Sequence, residues 1–211
     1  CSRDACLPNA CSRDAGATTL PVTAVSGPLR VLWIGRCIPE KRALEFAEAA
    51  ALACEIVGAD RLEVTIAGAG PLLARVRRMA ARASGVRVLG RVENAAVAAL
   101  LASHHASALS SFGYDNQPMT VAESVTALRG VIYVDPRLRE GLDTAGIFVD
   151  DCSVEGMAAA LIGLALDPQP VIEASSRAIT ARTVFAPGTH AEAMGAVYLA
   201  HPHGHTPVDA E

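Results

Sequence analysis

The chain contains few aromatic residues, a single lysine and no long apolar run. Aromatic residues account for 4% of its 211 residues, whereas hydrophobic residues account for 51%. A core of Ala, Val, Leu and Ile is typical of buried parallel strands and of the helices that cover them. No apolar run is long enough to cross a bilayer and no secretory signal is visible, so we expect a cytoplasmic protein without a transmembrane segment.

The charge pattern argues against a nucleic-acid partner. The formal net charge is -4, and the arginines are scattered along the chain. A mildly acidic chain lacks the electrostatic attraction on which nucleic-acid binding depends. The length suits one domain. Because the first residue is Cys1 rather than methionine, we interpret the chain as a fragment or a processed product.

Several catalytic and metal-binding signatures are also missing. The sequence has no Walker A loop, no Ser-His-Asp order and no His-Glu-x-x-His motif. Its six cysteines form no Cys-x-x-Cys pair and match no zinc spacing, although Cys-Ser-Arg-Asp-Ala occurs twice, in residues 1–5 and 11–15. We expect a reduced protein that holds no metal.

What remains is a regular alternation of short apolar runs and helical segments. The predicted strands are residues 29–34, 62–67, 86–89, 106–109, 131–134 and 147–149. The predicted helices lie within residues 39–58, 71–84, 94–103, 119–128, 153–166, 170–183 and 190–199. This alternation predicts an α/β fold, with a Rossmann-like parallel sheet covered by helices on both faces.

The ends of the chain differ from this pattern. Residues 1–28 are rich in Ser, Ala, Thr, Pro and Gly, and we interpret them as a linker or the remnant of a preceding domain. The Rossmann-like domain is expected over residues 29–200, and residues 201–211 are expected to be a disordered tail.

In such folds the ligand lies outside the carboxyl ends of the strands, so the site is expected in the loops that follow the strands. Arg36 follows the first predicted strand, and Lys41 stands where a helix begins. Two cations near a helix N-terminus could hold a diphosphate. The chain has 17 arginines and only this one lysine, which points to a special position. A solvated basic loop would explain the pattern equally well.

The loops after the second and fourth strands carry two further patterns. Gly68-Ala-Gly70-Pro71 would let the backbone approach a ligand closely, but a plain strand-to-helix turn explains it as well. Asp115 and Glu123 lie eight residues apart, with the start of a predicted helix at Met119 between them. Carboxylates accept hydrogen bonds from sugar hydroxyls and free N–H groups bind phosphate, whereas the alternative is a solvated Asp and a helix Glu.

Other polar groups are given structural interpretations. His104 and His105 precede the fourth strand and are expected to pack rather than to catalyse. Arg75, Arg77, Arg78 and Arg82 are expected to form a solvated helix face. The histidines of residues 201–205 are assigned to the disordered tail.

Taken together, the loops resemble the C-terminal, donor-binding domain of retaining GT-B glycosyltransferases, family 4 or glycosyltransferase group 1. The similarity covers roughly residues 7–200. The motifs that carry it, in order, are Leu7-Pro8-Asn9, Gly35-Arg36 with Lys41, Gly68-Ala-Gly70-Pro71, Gly90-Arg91-Val92, Asp115 with Glu123, and residues 185–198 as the closing helix.

The resemblance implies roles for these positions. Arg36 and Lys41 would neutralise the donor diphosphate as the sugar leaves. Asp115 would act with them in catalysis by holding the transferred sugar, and Glu123 would bind the ribose. The family usually needs no metal or other cofactor. The remaining donor-binding positions are Gly35, Gly68, Gly70, Pro118, Met119 and Thr120, with Gly90, Arg91 and Val92 near the base.

The resemblance also implies a transfer reaction that this chain would not complete alone. A hexose-type sugar would pass from a nucleoside-diphosphate sugar to an acceptor with retention, and the acceptor would be held by an N-terminal domain absent here. Any membrane contact would be peripheral and would come through that domain. The alternatives are a nucleotide-sugar epimerase of the same fold and a degenerate nucleotide-binding module. Four departures stand out: Asp115 where Glu is usual, Arg42 and Leu128 at positions where the family has glycine, and Gly130 where it has proline.

Overall fold

The structure is a computed structural model that describes residues 19–185. Its six strands are β1 (Leu29–Ile34), β2 (Leu62–Ala67), β3 (Val86–Gly90), β4 (Ala106–Leu109), β5 (Gly130–Tyr133) and β6 (Gly146–Phe148). Its helices are α1 (Ala43–Val57), α2 (Leu73–Ala80), α3 (Asn94–Ser103), α4 (Met119–Thr126), α5 (Leu142–Ala145), α6 (Val154–Leu166) and α7 (Gln169–Ala181). Short 3-10 turns cover Pro39–Lys41 and Arg182–Phe185.

All six strands form one parallel sheet in the order β3-β2-β1-β4-β5-β6. Val31 of β1 pairs with Val64 of β2 on one side and with Ala106 of β4 on the other. The chain therefore winds outward in one direction as far as β3, then returns to the centre and winds the other way. This order is that of a doubly wound Rossmann-like sheet, which confirms the predicted fold class.

Burial on both faces explains why the strands are continuously apolar. Val31 and Trp33 of β1 pack in the cluster beneath α1 and α6, whereas Leu32 packs in the cluster beneath α3. Successive side chains of a strand point to opposite faces, so both faces of β1 need apolar residues. Helix α1 presents mostly small residues to this core: its buried positions are Ala43, Phe46, Ala47, Ala49, Ala50, Ala51, Ala53 and Cys54.

The observed boundaries differ from the prediction in a few places. Strands β5 and β6 each begin one residue earlier than predicted, and α4 ends at Thr126 rather than at Leu128. Helix α5 was not predicted, because four residues are too few to show a helical period. The predicted helix at residues 190–199, the predicted tail and the repeated cysteine segment lie outside the described residues.

Two non-glycine residues adopt the left-handed backbone conformation, Arg42 with φ of 52° and Leu128 with φ of 55°. These are the positions at which the similar family has glycine. Arg42 is the N-cap of α1, and its Nη2 donates to Cys152 O at 2.6 Å. Leu128 is buried in the cluster beneath α4 and α7. Both residues thus adopt a conformation that glycine adopts most easily.

A buried arginine joins the ends of two helices at the edge where the strands begin. Arg129 is 6% exposed, and its pKa is lowered because burial removes water from the guanidinium. It has no carboxylate partner among residues 19–185, and its N–H groups donate to carbonyl oxygens near the C-terminal ends of α3 and α4, where helix dipoles favour a cation. The helix-end acceptors are Leu101, Ala102, His104, Ala127 and Leu128, at 2.7–3.1 Å. A further bond, at 2.9 Å, goes to Leu20 O in the segment before β1.

The segment before β1 contacts the domain. Val22 is buried, and its N–H donates to Ser175 Oγ at 2.7 Å, while the same hydroxyl donates to Leu128 O at 2.7 Å. Together with the Arg129 bond to Leu20, these contacts bind residues 20–22 to α7 and to the turn after α4.

His104 and His105 are both buried, which confirms their packing role. His104 Nδ1 donates to Leu100 O at 2.6 Å, and its Nε2 lies 2.9 Å from the Thr65 hydroxyl, so the neutral ring is satisfied. Burial lowers the pKa of His105 to about 4. The cysteines between residues 19 and 185 are free, and no helix in that range has both the length and the hydropathy to span a bilayer.

The left-handed turn at Leu128 can be tested with a pair of variants. Leu128→Gly and Leu128→Ala delete the same buried side chain, but only glycine adopts this φ without strain. We expect Leu128→Gly to be more stable than Leu128→Ala by about 1 kcal/mol in urea unfolding. Leu101, which is buried inside α3, is the control. There the alanine variant should be the more stable, by about 1 kcal/mol. If the glycine and alanine variants have the same order of stability at positions 128 and 101, the left-handed conformation of Leu128 is contradicted.

Candidate functional site

The site lies at the carboxyl edge of the sheet, between the loops that follow β1 and β4. These two strands are neighbours in space although β2, β3 and their connections separate them in sequence. The strand order reverses here, and a crevice outside the carboxyl ends forms where the two loops diverge. The β1 loop supplies Arg36 and Lys41, and the β4 loop supplies Tyr114 and Asp115.

Lys41 and Asp115 form an ion pair across this crevice. Lys41 Nζ lies 2.5 Å from Asp115 Oδ1, and the two side chains are only 17% and 11% exposed. The other carboxylate oxygen, Oδ2, accepts a hydrogen bond from the Ser111 hydroxyl. The sequence predicted that both charges lie in loops at the carboxyl edge, but it did not predict that they contact each other. Low exposure strengthens the pair, because water screens it less.

A serine fixes the turn that carries Lys41. Ser110 is 1% exposed and stands at the end of β4. Its hydroxyl accepts from Trp33 Nε1 at 2.9 Å and donates to Lys41 O at 2.7 Å. The backbone of the Pro39–Lys41 turn is therefore anchored to the centre of the sheet, so the lysine leaves from a fixed position.

Tyr114 joins the two cations. Arg36 Nη2 donates to Tyr114 Oη at 3.1 Å, and Lys41 Nζ lies 5.5 Å from the centre of the Tyr114 ring, within the range of a cation–π contact. Arg36 and Tyr114 are exposed, whereas Lys41 is half-buried. The predicted convergence of Arg36 and Lys41 at one end of the sheet is thus observed, with Tyr114 as the residue that the sequence did not identify.

The glycine loop after β2 packs closely against the β1 loop. A Cβ on Gly68 would lie 1.8 Å from Gly35 O, and one on Gly70 would lie 2.5 Å from Cys37 O. Gly35 N donates to Ala67 O, and Gly68 N donates to Gly90 O. Close backbone approach between loops therefore explains the glycines at Gly68 and Gly70, and the amides of Gly35 and Gly68 are already engaged. A role for these glycines in donor binding stays a prediction.

The loop after β3 is anchored at one end and open at the other. Gly90 is buried with φ of 80°, and the Val92 side chain packs beside Leu32 and Val97. Arg91 is exposed, and its Nε lies 3.9 Å from an equally exposed Glu93 carboxylate. A surface ion pair of this kind contributes little to stability. The predicted contact of this loop with a base stays a prediction.

Helix α4 begins at the crevice. Pro118 is buried at its N-cap, Met119 is exposed, and no side chain caps the helix. Thr120 Oγ1 lies 3.4 Å from Ile34 O, at the end of β1. The first backbone N–H groups of α4 are therefore at the edge where Lys41 and Asp115 meet, as the sequence predicted.

Glu123 lies one turn along α4, on a second cleft. It is half-buried and has no hydrogen-bond or ion-pair partner among residues 19–185, and burial raises its pKa. This cleft has a volume of about 390 Å³. It lies between α3 and α4, and its lining includes Asn94, Val97, Thr126 and Phe185. The structure thus places Glu123 beside the crevice but does not bring it into contact with Asp115.

The loop after β5 adds a second ion pair. Asp135 is 1% exposed, and its carboxylate accepts from Arg137 Nε at 2.9 Å and from Arg137 Nη2 at 2.7 Å. Gly113 N, from the β4 loop, donates to the same carboxylate at 2.8 Å. The Arg137 guanidinium and these N–H groups hold the pKa of Asp135 well below its ordinary range. The rule that loops at carboxyl ends carry the site could have identified this pair, since Asp135 comes two residues after β5.

Comparison with known proteins identifies the fold. Neither a protein-family model nor a curated protein sequence matches the chain. Solved structures match it, among them TarM of S. aureus in complex with fondaparinux, alpha-GlcNAc-glycerol and UDP, with a TM-score of 0.65 and 19% identity over 82% of this chain. The pneumococcal O-GlcNAc transferase GtfA, in complex with UDP and GlcNAc, gives a TM-score of 0.66 and 15% identity over 83% of this chain.

These proteins are much longer than the chain, which spans 35% of TarM and 36% of GtfA. A third match is the C-terminal domain of a glycosyl transferase group 1 family protein, LpcC of Francisella tularensis, with a TM-score of 0.62, 17% identity and coverage of 74% of this chain and 84% of that one. The chain therefore has the Rossmann-like α/β fold found in one domain of GT-B glycosyltransferases.

The buried Asp135 carboxylate should make stability depend on pH. Its pKa is lower in the folded than in the unfolded chain, so its ionised form contributes stability above about pH 4, and this contribution is lost as the pH falls further. Asp135→Asn should lower the free energy of unfolding by about 1–3 kcal/mol at pH 7. The difference from wild type should shrink between pH 5 and pH 3.

Urea unfolding followed by circular dichroism at pH 7, 5 and 3 measures this effect. Asp150→Asn is the control, because Asp150 is exposed and has no ion-pair partner among residues 19–185. Its effect should be small at pH 7. A difference between Asp135→Asn and wild type that does not change with pH would show that this carboxylate does not titrate as described.

Proposed function

We propose that the chain is the donor-binding domain of a retaining glycosyltransferase that uses a nucleoside-diphosphate sugar. The observation that carries this proposal is the convergence of Arg36, Lys41, Tyr114 and Asp115 at the crevice between β1 and β4. Two cations, a carboxylate and the N-terminus of α4 lie close together at the crevice. These are the groups that would bind the phosphates and hydroxyls of a sugar diphosphate. The fold supports the proposal, since UDP is present in the TarM and GtfA complexes.

In this proposal the two cations bind the diphosphate. Arg36 presents a planar fork of donors, and Lys41 presents a compact point charge. Lys41 pairs with Asp115, and this carboxylate would keep the ammonium in position. The ammonium would contact the phosphate at the same time. Negative charge that develops on the diphosphate as the sugar leaves would be stabilised by both groups without a metal.

The two carboxylates would bind different parts of the donor outside the diphosphate. Glu123 would accept from ribose hydroxyls, since it is half-buried and unpaired within residues 19–185. The four residues from Met119 to Glu123 correspond to about 6 Å along a helix. That spacing suits a diphosphate at the start of α4 and a ribose beside Glu123. Asp115, deeper in the crevice, would accept from the transferred hexose.

A second domain would complete the reaction. The matched TarM and GtfA chains are almost three times as long as the part that this chain covers. We propose that the acceptor is held by a separate domain facing this crevice, and that the 211-residue chain alone binds the donor without transferring the sugar. Positioning of the acceptor is a large part of catalysis, and the described residues offer only one wall of a cleft.

The diphosphate role of the cations is tested by titrating the chain with UDP and with GDP in a calorimeter. Arg36→Met and Lys41→Met should each weaken binding of the preferred nucleotide about tenfold or more, because each removes a charge-assisted contact. Arg78→Met is the matched control, since Arg78 is exposed on α2. It should leave affinity within about twofold. If the chain binds neither UDP nor GDP, the proposed function is contradicted.

Variants of the two carboxylates should distinguish contacts to the nucleotide from contacts to the sugar. Glu123→Gln should weaken the bare nucleoside diphosphate and the nucleotide sugar alike, by about fivefold to tenfold, because both ligands carry the ribose. Asp115→Asn should weaken the nucleotide sugar at least about fivefold more than the bare nucleotide, because the bare nucleotide is affected only through the loosened Lys41. The measurement is a pair of dissociation constants for each variant, with circular dichroism to check folding. Equal losses of both ligands in Asp115→Asn would contradict its assignment to the sugar.

A further inference from the structure

A small cleft lies beside Asp115, between the β4 and β5 loops. Its lining residues are Gly113, Asp115, Asn116, Arg137 and Leu138, and its volume is about 190 Å³. Pockets for drug-sized ligands measure roughly 300–1,000 Å³, so this cleft suits a smaller group, of the size of a single sugar ring. It opens next to the carboxylate that pairs with Lys41. A group attached to a diphosphate at the crevice would therefore reach it.

Arg137 lines this cleft and is paired with the buried Asp135, while 62% of its side chain is exposed. Its Nε and Nη2 donate to the two oxygens of the buried Asp135 carboxylate, at 2.9 and 2.7 Å. The Phe112 ring centre lies 5.7 Å from its guanidinium carbon. Nη1 has no hydrogen-bond partner within the part of the chain that the structure describes. A planar fork paired on one side with a carboxylate thus presents three free N–H donors, two of them on Nη1.

The charges around the cleft cancel. Asp135 offsets Arg137, and Asp115 offsets Lys41. What remains is a donor at Arg137 Nη1 and an acceptor at Asp115, which together match the hydroxyl groups of an uncharged sugar. A carboxylate on the sugar ring would gain little from Arg137, because that cation is already neutralised, and it would also face the Asp115 carboxylate.

We propose that Arg137 is a binding and specificity residue for the transferred sugar, and that it selects an uncharged sugar over one that carries a carboxylate. This inference rests on the proposed function and deepens it by naming the class of sugar. Arg137 Nη1 donates to a sugar hydroxyl oxygen while Asp115 accepts from another hydroxyl, so the ring is fixed from two sides. Asp135 is a positioning residue that acts through Arg137.

The test compares three ligands that share one nucleotide: UDP, UDP-glucose and UDP-glucuronate, or GDP, GDP-mannose and GDP-mannuronate if guanosine binds more tightly. Wild type should bind the neutral sugar donor more tightly than the acidic one, by about fivefold or more. Arg137→Lys keeps a cation beside Asp135 but has no second nitrogen to offer. It should weaken the neutral donor about tenfold and leave the bare nucleotide within about twofold.

Two further variants keep the test decisive. Arg137→Met should give the same loss for the sugar as Arg137→Lys if it folds, and Arg137→Lys covers the case in which it does not, because its charge still compensates Asp135. Arg139→Met is the matched control, since Arg139 lies two residues away in an exposed pair with Asp143. It should leave all three dissociation constants within about twofold.

The outcomes separate this inference from the proposed function. A sugar-specific loss in Arg137→Lys, together with a preference for the neutral donor in wild type, supports the inference. Equal losses of nucleotide and nucleotide sugar, unchanged affinities, or tighter binding of the acidic donor would overturn it while the proposed function stands. Failure of wild type to bind any of these nucleotides would overturn both.

Discussion

The parallel pairing of all six strands is the constraint on which the rest of this structure depends. Because the strands run the same way, every loop that follows a strand must lie at one edge of the sheet. The reversal of strand order between β1 and β4 then separates two of these loops. Lys41 and Asp115 are 74 residues apart in sequence, yet their side chains meet at 2.5 Å in the resulting crevice.

Charge pairing decides how polar groups are arranged at that edge. Asp115 and Asp135 are both shielded from water, and each is held by a cation and by further donors. A buried carboxylate without such partners would be costly, so the loops after β1, β4 and β5 adopt conformations that supply them. The same pairing orients the cations. Lys41, which is 17% exposed, is thereby held in place before any ligand arrives, which reduces the entropy lost on binding.

The backbone shows that geometry can be retained when the favoured residue is replaced. Arg42 and Leu128 adopt left-handed conformations that glycine would adopt without strain, at a cost of about 1–2 kcal/mol for each residue. Both side chains make contacts within the domain, although Arg42 Nη1 is buried without a hydrogen-bond partner among residues 19–185. Leu128 buries its side chain among α4 and α7, and Arg42 bonds to Cys152 O. The turns that precede α1 and follow α4 are therefore formed by residues that carry side chains.

The sequence alone determined the fold class and most of the elements, because an apolar run buried on two faces and an Ala-rich helix leave direct patterns. It also placed Arg36, Lys41 and Asp115 at one edge, since strand ends are readable from those patterns. It did not reveal the Lys41–Asp115 contact, the contact of Tyr114 with Arg36 or the hydrogen bond from Gly113 to Asp135. Those depend on which strands become neighbours and on where each loop turns. Only the tertiary structure decides that, because such pairings form between residues far apart in the chain and carry no local period.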